Sequence, residues 1–153
     1  MNLRDLRYSA LLTGSLLLEG CSSVFVVPLA TIDNTWVYPY NERKNGQVVA
    51  TGLATAPKGI TLKGSTGQIF IDGGSRISPS TPDGIVDEYI INSHRDGKFI
   101  YNRTSYTGSD GVIYDLNKDD ENTKKLRDVT SRTLDSATKE YQRYRMFLNF
   151  IGK

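Results

Sequence analysis

The strongest constraint on the fold of this chain is a long stretch near its C-terminus, Lys118–Ile151, that contains neither proline nor glycine. Acidic residues at 119–121 open the stretch, and Arg143 and Arg145 lie near its end. This is the order of charge that the helix macrodipole favours. Gly152 follows directly, as a stop signal. The pattern predicts one α-helix of about 30 residues, roughly 45 Å long at 1.5 Å per residue.

A seam of apolar and small residues runs along this predicted helix at alternating spacings of four and three, which is a seven-residue repeat. Its members are Thr130, Leu134, Ala137, Tyr141, Tyr144, Leu148 and Ile151. Four of them are candidate residues for binding a second chain: Leu134, Tyr141, Tyr144 and Leu148.

Two arrangements of this helix are open. A sheet built from strands of about six residues is only about 20 Å wide, so an unbroken helix would overhang it or meet another chain. Alternatively, the helix breaks near Thr130–Ser131, where serine and threonine lower the helix propensity, and both halves lie on the sheet.

Residues 35–116 show a different pattern, with short apolar or alternating runs separated by turn signals about every 8 to 12 residues. Asn45-Gly46 and the segment 94–97 are the hairpin candidates. Pro39 has no N–H to donate, so its strand lies at an edge or ends there. Fourteen glycines and nine tyrosines favour strands and tight turns. The sequence therefore predicts a mainly β fold, a small antiparallel β-sandwich or barrel of about seven short strands, followed by the helix.

Aromatic side chains alternate in two of the predicted strands. Trp36, Tyr38 and Tyr40 fall on one strand face, and Phe99 and Tyr101 share another. If the first stripe is exposed, it could stack on sugars of the cell wall or fill the apolar groove of a partner. If it is buried, it is part of the core.

The N-terminus carries the pattern of an export signal. Arg4 and Arg7 precede the largely apolar run Ala10–Leu18, which has the length of a secretory apolar region and is too short to span a bilayer. The run ends in Leu-Glu-Gly-Cys at 18–21. This segment resembles the lipobox of bacterial lipoproteins.

The resemblance implies that residues 1–20 are a signal peptide and that Cys21 is the first residue of the mature protein. Its sulfur, and then its new amino group, would carry lipid, which gives stable anchoring. Ser22 and Ser23 resemble the sorting signal of lipoproteins sent to the outer membrane, which would place the β-rich domain 21–116 and the helical segment 117–153 in the periplasm. Alternatively, residues 3–18 form an amphipathic helix and Cys21 is a small buried hydrophobe.

Residue chemistry argues against several functions. The net charge of +2 is too small to indicate nucleic-acid binding. Catalysis would depend on the single histidine, His94, buried beside Asp87 or Asp96, and a lone histidine at a turn is more often solvated. One cysteine and one histidine cannot form a zinc site. The segment that begins at Asp115 resembles the start of a calcium-binding EF-hand loop. Asp120 stands where that loop needs glycine, and Leu126 stands where it needs a bidentate glutamate, so a calcium site is not expected.

These observations predict no catalytic residue, no metal and no cofactor other than the lipid on Cys21. We expect a non-catalytic structural or docking subunit of a multi-protein envelope assembly of the secretion or conjugation type, on the periplasmic face of the outer membrane. The alternative is a stand-alone lipoprotein that binds cell-wall glycan or a surface ligand through the aromatic strand face.

Overall fold

The computed structural model of the chain describes residues 17–18, 22–23, 28–59, 67–73, 81–93 and 95–152. Leu17–Leu18 (β1) and Ser22–Ser23 (β2) pair with each other as a small two-stranded sheet, and β2 lies beside β4. The other elements are β3 (Ala30–Ile32), β4 (Thr35–Lys44), β5 (Gln47–Pro57), β6 (Gly67–Ile71), β7 (Glu88–Ser93), β8 (Gly97–Asn102), β9 (Ser105–Thr107), β10 (Ile113–Asp115) and α1 (Glu121–Ile151).

The main sheet is an antiparallel meander of eight strands. Each strand from β3 to β10 pairs with the strand that follows it in the chain, so β3 and β10 form the two edges of an open sheet. The predicted class, mainly β with one C-terminal helix, is confirmed. Because every connection joins neighbours, the whole sheet is built from local hairpin pairings.

Two turns explain where the strands begin and end. Asn45 and Gly46 have φ values of 51° and 78°, which is the left-handed geometry of a tight hairpin turn between β4 and β5. The chain over 97–107 forms two strands, which are divided after Asn102. The side-chain Oδ1 of Asn102 accepts hydrogen bonds from the backbone N–H groups of Thr104 (3.0 Å) and Ser105 (2.7 Å), and this turn separates β8 from β9.

Pro39 lies inside β4, which is not an edge strand and continues past Pro39 to Lys44, so the prediction that its strand lies at an edge or ends there is wrong. Strand β3 pairs with β4 only from Thr35 to Val37, so the hydrogen-bonded ladder between β3 and β4 ends before Pro39. On its other side Pro39 faces Leu53 of β5. A residue without an N–H is therefore accommodated inside a ten-residue strand.

Helix α1 is continuous from Glu121 to Ile151, and the break considered near Thr130–Ser131 does not occur. Asp120 caps its start by accepting a hydrogen bond from the N–H of Thr123, with 2.9 Å between N and Oδ1. Tertiary packing explains the continuity, because Thr130 itself is buried against the sheet. Within the described residues, no helix combines the length and the apolarity that crossing a bilayer requires.

The main core lies between one face of the sheet and α1. Phe70 of β6 is fully buried at its centre, and its ring centroid lies 6.2 Å from that of Tyr141 and 6.0 Å from that of Tyr144. Tyr89 of β7 packs on the same ring from the side, at 5.1 Å. The seam of α1 therefore faces the sheet, and the helix fills the core of its own domain.

The orientation of α1 across the sheet places its two ends at opposite edges. Near its start, Arg127 donates from Nε to the carbonyl oxygen of Leu116, just after β10, at 2.9 Å. Near its end, the guanidinium of Arg143 lies 3.3 Å from the carboxylate of Asp33 in the β3–β4 turn. The helix thus runs from the β10 edge of the sheet to the β3 edge.

Candidate functional site

A cleft opens between the β10 edge of the sheet and the first turns of α1. Its volume is about 560 Å³, within the range of small-ligand and peptide sites. The walls are mainly apolar and aromatic, and they come from β8, β9, β10 and one face of α1. The apolar lining residues are Phe99, Tyr106, Tyr114, Leu126 and Val129. We call this feature the edge cleft.

Polar groups surround the mouth of the edge cleft. The helix contributes Asn122, Thr123 and Lys125, and the β9–β10 turn contributes Ser109 and Asp110. The Lys125 ammonium lies 3.9 Å from the Glu121 carboxylate, and both side chains are well exposed, so this pair is weak. The edge cleft therefore offers aromatic and aliphatic walls with a polar rim. This composition suits binding by stacking and apolar contact.

Local hydrogen bonds fix the sheet side of the edge cleft. In the β9–β10 turn, Oδ1 of Asp110 accepts from the backbone N–H of Val112 at 3.0 Å, and Gly111 adopts a φ of 79°. The N–H of Gly108 donates to the carbonyl oxygen of Val112 at 3.2 Å. On the helix side, Arg127 joins the first turns of α1 to the chain after β10. Both walls are thus held by bonds that do not depend on a ligand.

An aromatic row connects the core to the edge cleft. Strand register places Phe70, Tyr89, Tyr101, Tyr106 and Tyr114 directly opposite one another on five successive strands. Neighbouring ring centroids lie 5.1, 6.2, 5.2 and 5.8 Å apart, from the core outwards. Burial, and then the nearby Tyr114 and Asp110, raise the pKa of Tyr106, so its phenol stays neutral at physiological pH.

Strand β10, beside the edge cleft, and its neighbourhood expose large apolar side chains. On and beside β10, Ile113 is 71% exposed, Val112 is 47% exposed and Tyr114 is 44% exposed. Val129 of α1, across the cleft, is also exposed. Ile113 alternates with Tyr114 along β10, so its side chain lies on the sheet face opposite the edge cleft. The outer side of β10 is an edge of the sheet, where backbone groups can still accept another strand.

The structure places the predicted aromatic stripe on the sheet face opposite α1. Tyr38 is buried against Ala54 and Ala56. Trp36 and Tyr40 are half-buried and pack against the same cluster. Tyr38 is thus part of a buried cluster on this face, and Trp36 and Tyr40 are partly exposed beside it.

The predicted seam residues of the helix lie together beneath the sheet. Leu134, Tyr141 and Tyr144 are buried in the main core, and Leu148 packs against it while half-buried. These side chains make contacts within the domain. A partner would therefore meet other faces of α1.

Cys21 and His94 lie outside the described residues, so the predicted lipidation site has no structural description. Across residues 28–59, 67–73, 81–93 and 95–152, no three His, Cys, Asp or Glu side chains group as metal ligands would.

Sequence reasoning missed the edge cleft as a site, although two signals pointed to it. Phe99 belongs to a same-face aromatic pair, and Val112-Ile113-Tyr114 is an apolar run in a short edge strand. What joins them is the strand register and the path of α1, which unite residues far apart in sequence.

Comparisons with models of known protein families, with curated proteins and with solved structures gave no match.

Proposed function

We propose that this protein is an outer-membrane lipoprotein, anchored through Cys21, that acts in the periplasm as a non-catalytic docking subunit of a multi-protein envelope assembly of the secretion or conjugation type. The anchor is supported by the lipobox-like segment at 18–21. The docking role is supported by the edge cleft and by the exposed apolar residues of the edge strand beside it.

The observation that carries the docking role is the exposure of Ile113, 71%, on an edge strand beside an apolar cleft. Soluble proteins usually protect such edges with charges or proline, because an unpaired strand recruits other strands. The binding mode that fits is addition of an extended partner segment to β10, with alternate apolar side chains entering the cleft between Tyr114 and Val129.

The position of the edge cleft also suits this role. It lies at the start of α1, whereas the chain enters the main sheet, at β3, near the other end of the helix. A helix of 31 residues spans about 46 Å at 1.5 Å per residue. If Cys21 holds the β3 edge close to the membrane, the edge cleft faces away from the membrane, towards partners in the periplasm.

The test is the native size of the protein extracted from its own envelopes in a mild detergent, compared with that of Ile113→Lys. We expect the wild type to run in a complex with other proteins and Ile113→Lys to run as a single chain, because a charged edge residue blocks strand addition. Val48→Lys is the matched control: Val48 is also an exposed apolar strand residue, 46% exposed, but lies far from the cleft. A wild type that runs alone, or a Val48→Lys variant that dissociates equally, would refute the docking role.

The anchor is tested separately by mass spectrometry of the mature N-terminus and by metabolic labelling with a fatty acid. We expect the label on the wild type and its loss in Cys21→Ala. An unmodified Cys21 in membrane fractions would refute the lipid anchor. The docking role would then be tested by the native-size measurement alone.

A second candidate function is the binding of cell-wall glycan. The observation in its favour is the Tyr106–Tyr114 pair, with ring centroids 5.8 Å apart at a cleft with a polar rim, an arrangement on which sugar rings stack. The cleft suits this role better than the Trp36–Tyr40 stripe, because Tyr38 is buried. Sedimentation with purified peptidoglycan distinguishes the two: we expect Tyr114→Ala to lose binding and Trp36→Phe to retain it if this candidate is right.

A further inference from the structure

We propose that the C-terminal end of α1 inserts into the surface of the same membrane that carries the lipid anchor, as a second, non-covalent attachment. The inserted surface consists of Met146, Phe147, Phe150 and Ile151, which we call the helix tip. This inference rests on the proposed anchor at Cys21, and its ligand is the lipid bilayer interface.

The helix tip contains Phe150, the most exposed large apolar side chain in the described part of the chain. Phe150 is 80% exposed, Met146 is 71% exposed, Phe147 is 44% exposed and Ile151 is 41% exposed. Such a cluster is costly in water, because much of its apolar surface stays hydrated. Contiguous exposed apolar patches on soluble proteins mark contact with another surface.

The helix tip shares only Ile151 with the predicted seam, and Ile151 is an exposed member of that seam. Residues three and four apart are neighbours on a helix surface, so Met146 adjoins Phe150, and Phe147 adjoins both Phe150 and Ile151. Leu148, by contrast, follows Tyr141 and Tyr144 onto the sheet. The last turns of α1 are therefore apolar on two sides, and only the side of Leu148 packs against the core of the domain.

The path of the chain brings the helix tip and the anchor to the same end of the molecule. The carboxylate of Asp33 lies 3.3 Å from the guanidinium of Arg143, one turn before the tip, and Leu29 packs against the core cluster that Tyr144 joins. From Cys21 to Pro28 the chain can reach at most about 25 Å even when fully extended. The membrane surface must therefore lie near the β3 edge, where α1 ends.

Charge and backbone chemistry suit a shallow, interfacial position. Arg143 lies one turn before Met146 and Phe147, where its guanidinium can stay at the level of lipid headgroups while the apolar tip goes deeper. The last carbonyl groups of a helix lack intrahelical partners, and one of them, that of Leu148, accepts from the N–H of Gly152 at 3.0 Å. The others need water, which the interface supplies and the hydrocarbon core does not.

The experiment uses the lipidated full chain reconstituted into phosphatidylcholine vesicles with brominated acyl chains, which quench tryptophan only on contact. The chain has a single tryptophan, so Trp36→Phe removes the background signal. In that background, Phe150→Trp places the fluorescent reporter on the helix tip. Ile113→Trp, at a residue 71% exposed at the far end of the molecule, is the matched control.

We expect the emission of the Phe150→Trp variant to shift to the blue and to lose most of its intensity in brominated vesicles, while the emission of the Ile113→Trp variant stays unquenched. Unquenched, red-shifted emission from Phe150→Trp with Cys21 acylated overturns the tip insertion and leaves the anchor intact. A blue shift without quenching also overturns it, because a second copy or a partner protein then covers the tip. If Cys21 proves unmodified, the anchor fails, and absence of quenching of Phe150→Trp on added vesicles overturns the insertion as well.

Discussion

Asp72 and Arg145 meet across 73 residues of sequence, with 3.4 Å between the carboxylate Oδ2 and the guanidinium Nη1. Asp72 is fully buried, and it also accepts hydrogen bonds from the backbone N–H groups of Asp83 and Gly84, each at 2.9 Å. One carboxylate thus joins the end of β6, the loop before β7 and the last third of α1. This site holds the helix on the sheet, and with it the relative positions of the edge cleft and the helix tip.

Replacement of this carboxylate is predicted to destabilise the fold. Asp72→Asn keeps the size of the side chain but removes its charge and one acceptor, so a buried N–H loses its partner, and the cost is about 2 to 3 kcal/mol. Arg145→Met should cost less, about 1 kcal/mol or below, because the Arg145 side chain is 44% exposed and water screens its charge.

The measurement is urea unfolding followed by circular dichroism. Asp135→Asn is the control, because Asp135 is exposed on the same helix. The interpretation is wrong if Asp72→Asn and Asp135→Asn unfold at the same urea concentration.

High pH is predicted to unfold the protein through its buried tyrosines. Burial, and then the hydrogen bond and charge of Glu140, raise the pKa of Tyr144 to about 12. Burial raises the pKa of Tyr89 and Tyr141 as well. In the unfolded chain tyrosine ionises near pH 10, so above that pH the unfolded state loses protons first. The contribution of these tyrosines to the free energy of unfolding is therefore constant below about pH 9, and it falls as the pH rises from about 10 to 12.

The melting temperature across about pH 8 to 11.5 measures this loss, with phenolate absorbance recorded alongside. Tyrosine ionisation and loss of ellipticity should coincide. Phenolate formation by most tyrosines in a chain that keeps its ellipticity would contradict the prediction.

Features that depend on residues close together in the sequence could be predicted from the sequence. The Asn45-Gly46 hairpin follows from residue preferences that act within a few positions, and α1 ends directly before Gly152, as predicted. The alternation of Trp36, Tyr38 and Tyr40 on one strand face was also correct. Each of these features depends on neighbours in the sequence, so a single chain is sufficient to predict it.

The tertiary contacts of the same residues could not be predicted from the sequence. Whether Tyr38 is covered depends on Ala54 and Ala56 of the next strand, and whether Tyr141 faces a partner or the core depends on Phe70, far away in the sequence. The edge cleft likewise exists only once β8 to β10 are in register and α1 crosses them. The residue pattern predicts which side chains share one face of a strand or helix. Pairing between residues far apart in the sequence determines what that face packs against.

Substitution of Thr130 by valine is predicted to stabilise the protein. Thr130 is 1% exposed, and among the described residues its hydroxyl Oγ1 has no hydrogen-bond partner. A buried hydroxyl without a partner costs about 1 to 3 kcal/mol, and valine has the same shape without the polar atom. We expect a gain of about 1 kcal/mol in the free energy of unfolding.

Differential scanning calorimetry measures the melting temperatures of Thr130→Val and Thr133→Val. The comparison shows whether the gain in stability comes from removing the buried Thr130 hydroxyl or from replacing any helical threonine by valine. The Thr133 hydroxyl donates to the carbonyl oxygen of Val129 at 2.8 Å, so its loss should not stabilise. Equal melting temperatures for the two variants would show that the Thr130 hydroxyl carries no penalty.

Gly52 is predicted to be irreplaceable even by alanine. It pairs with Ile71 across the β5–β6 ladder, and a Cβ at this position would collide with the carbonyl group of Phe70, lying 2.8 Å from its carbon atom. The obstacle is the backbone of the central strand of the core, which cannot move without dislodging Phe70. Gly52→Ala should therefore cost about 3 kcal/mol or more. Gly59→Ala is the control, because Gly59 has a φ of 88° but no described residue lies within 4 Å of its Cβ position, so only backbone strain of about 1 kcal/mol is expected. If urea unfolding shows Gly52→Ala to be no less stable than Gly59→Ala, the close approach of β5 and β6 is not a requirement of the fold.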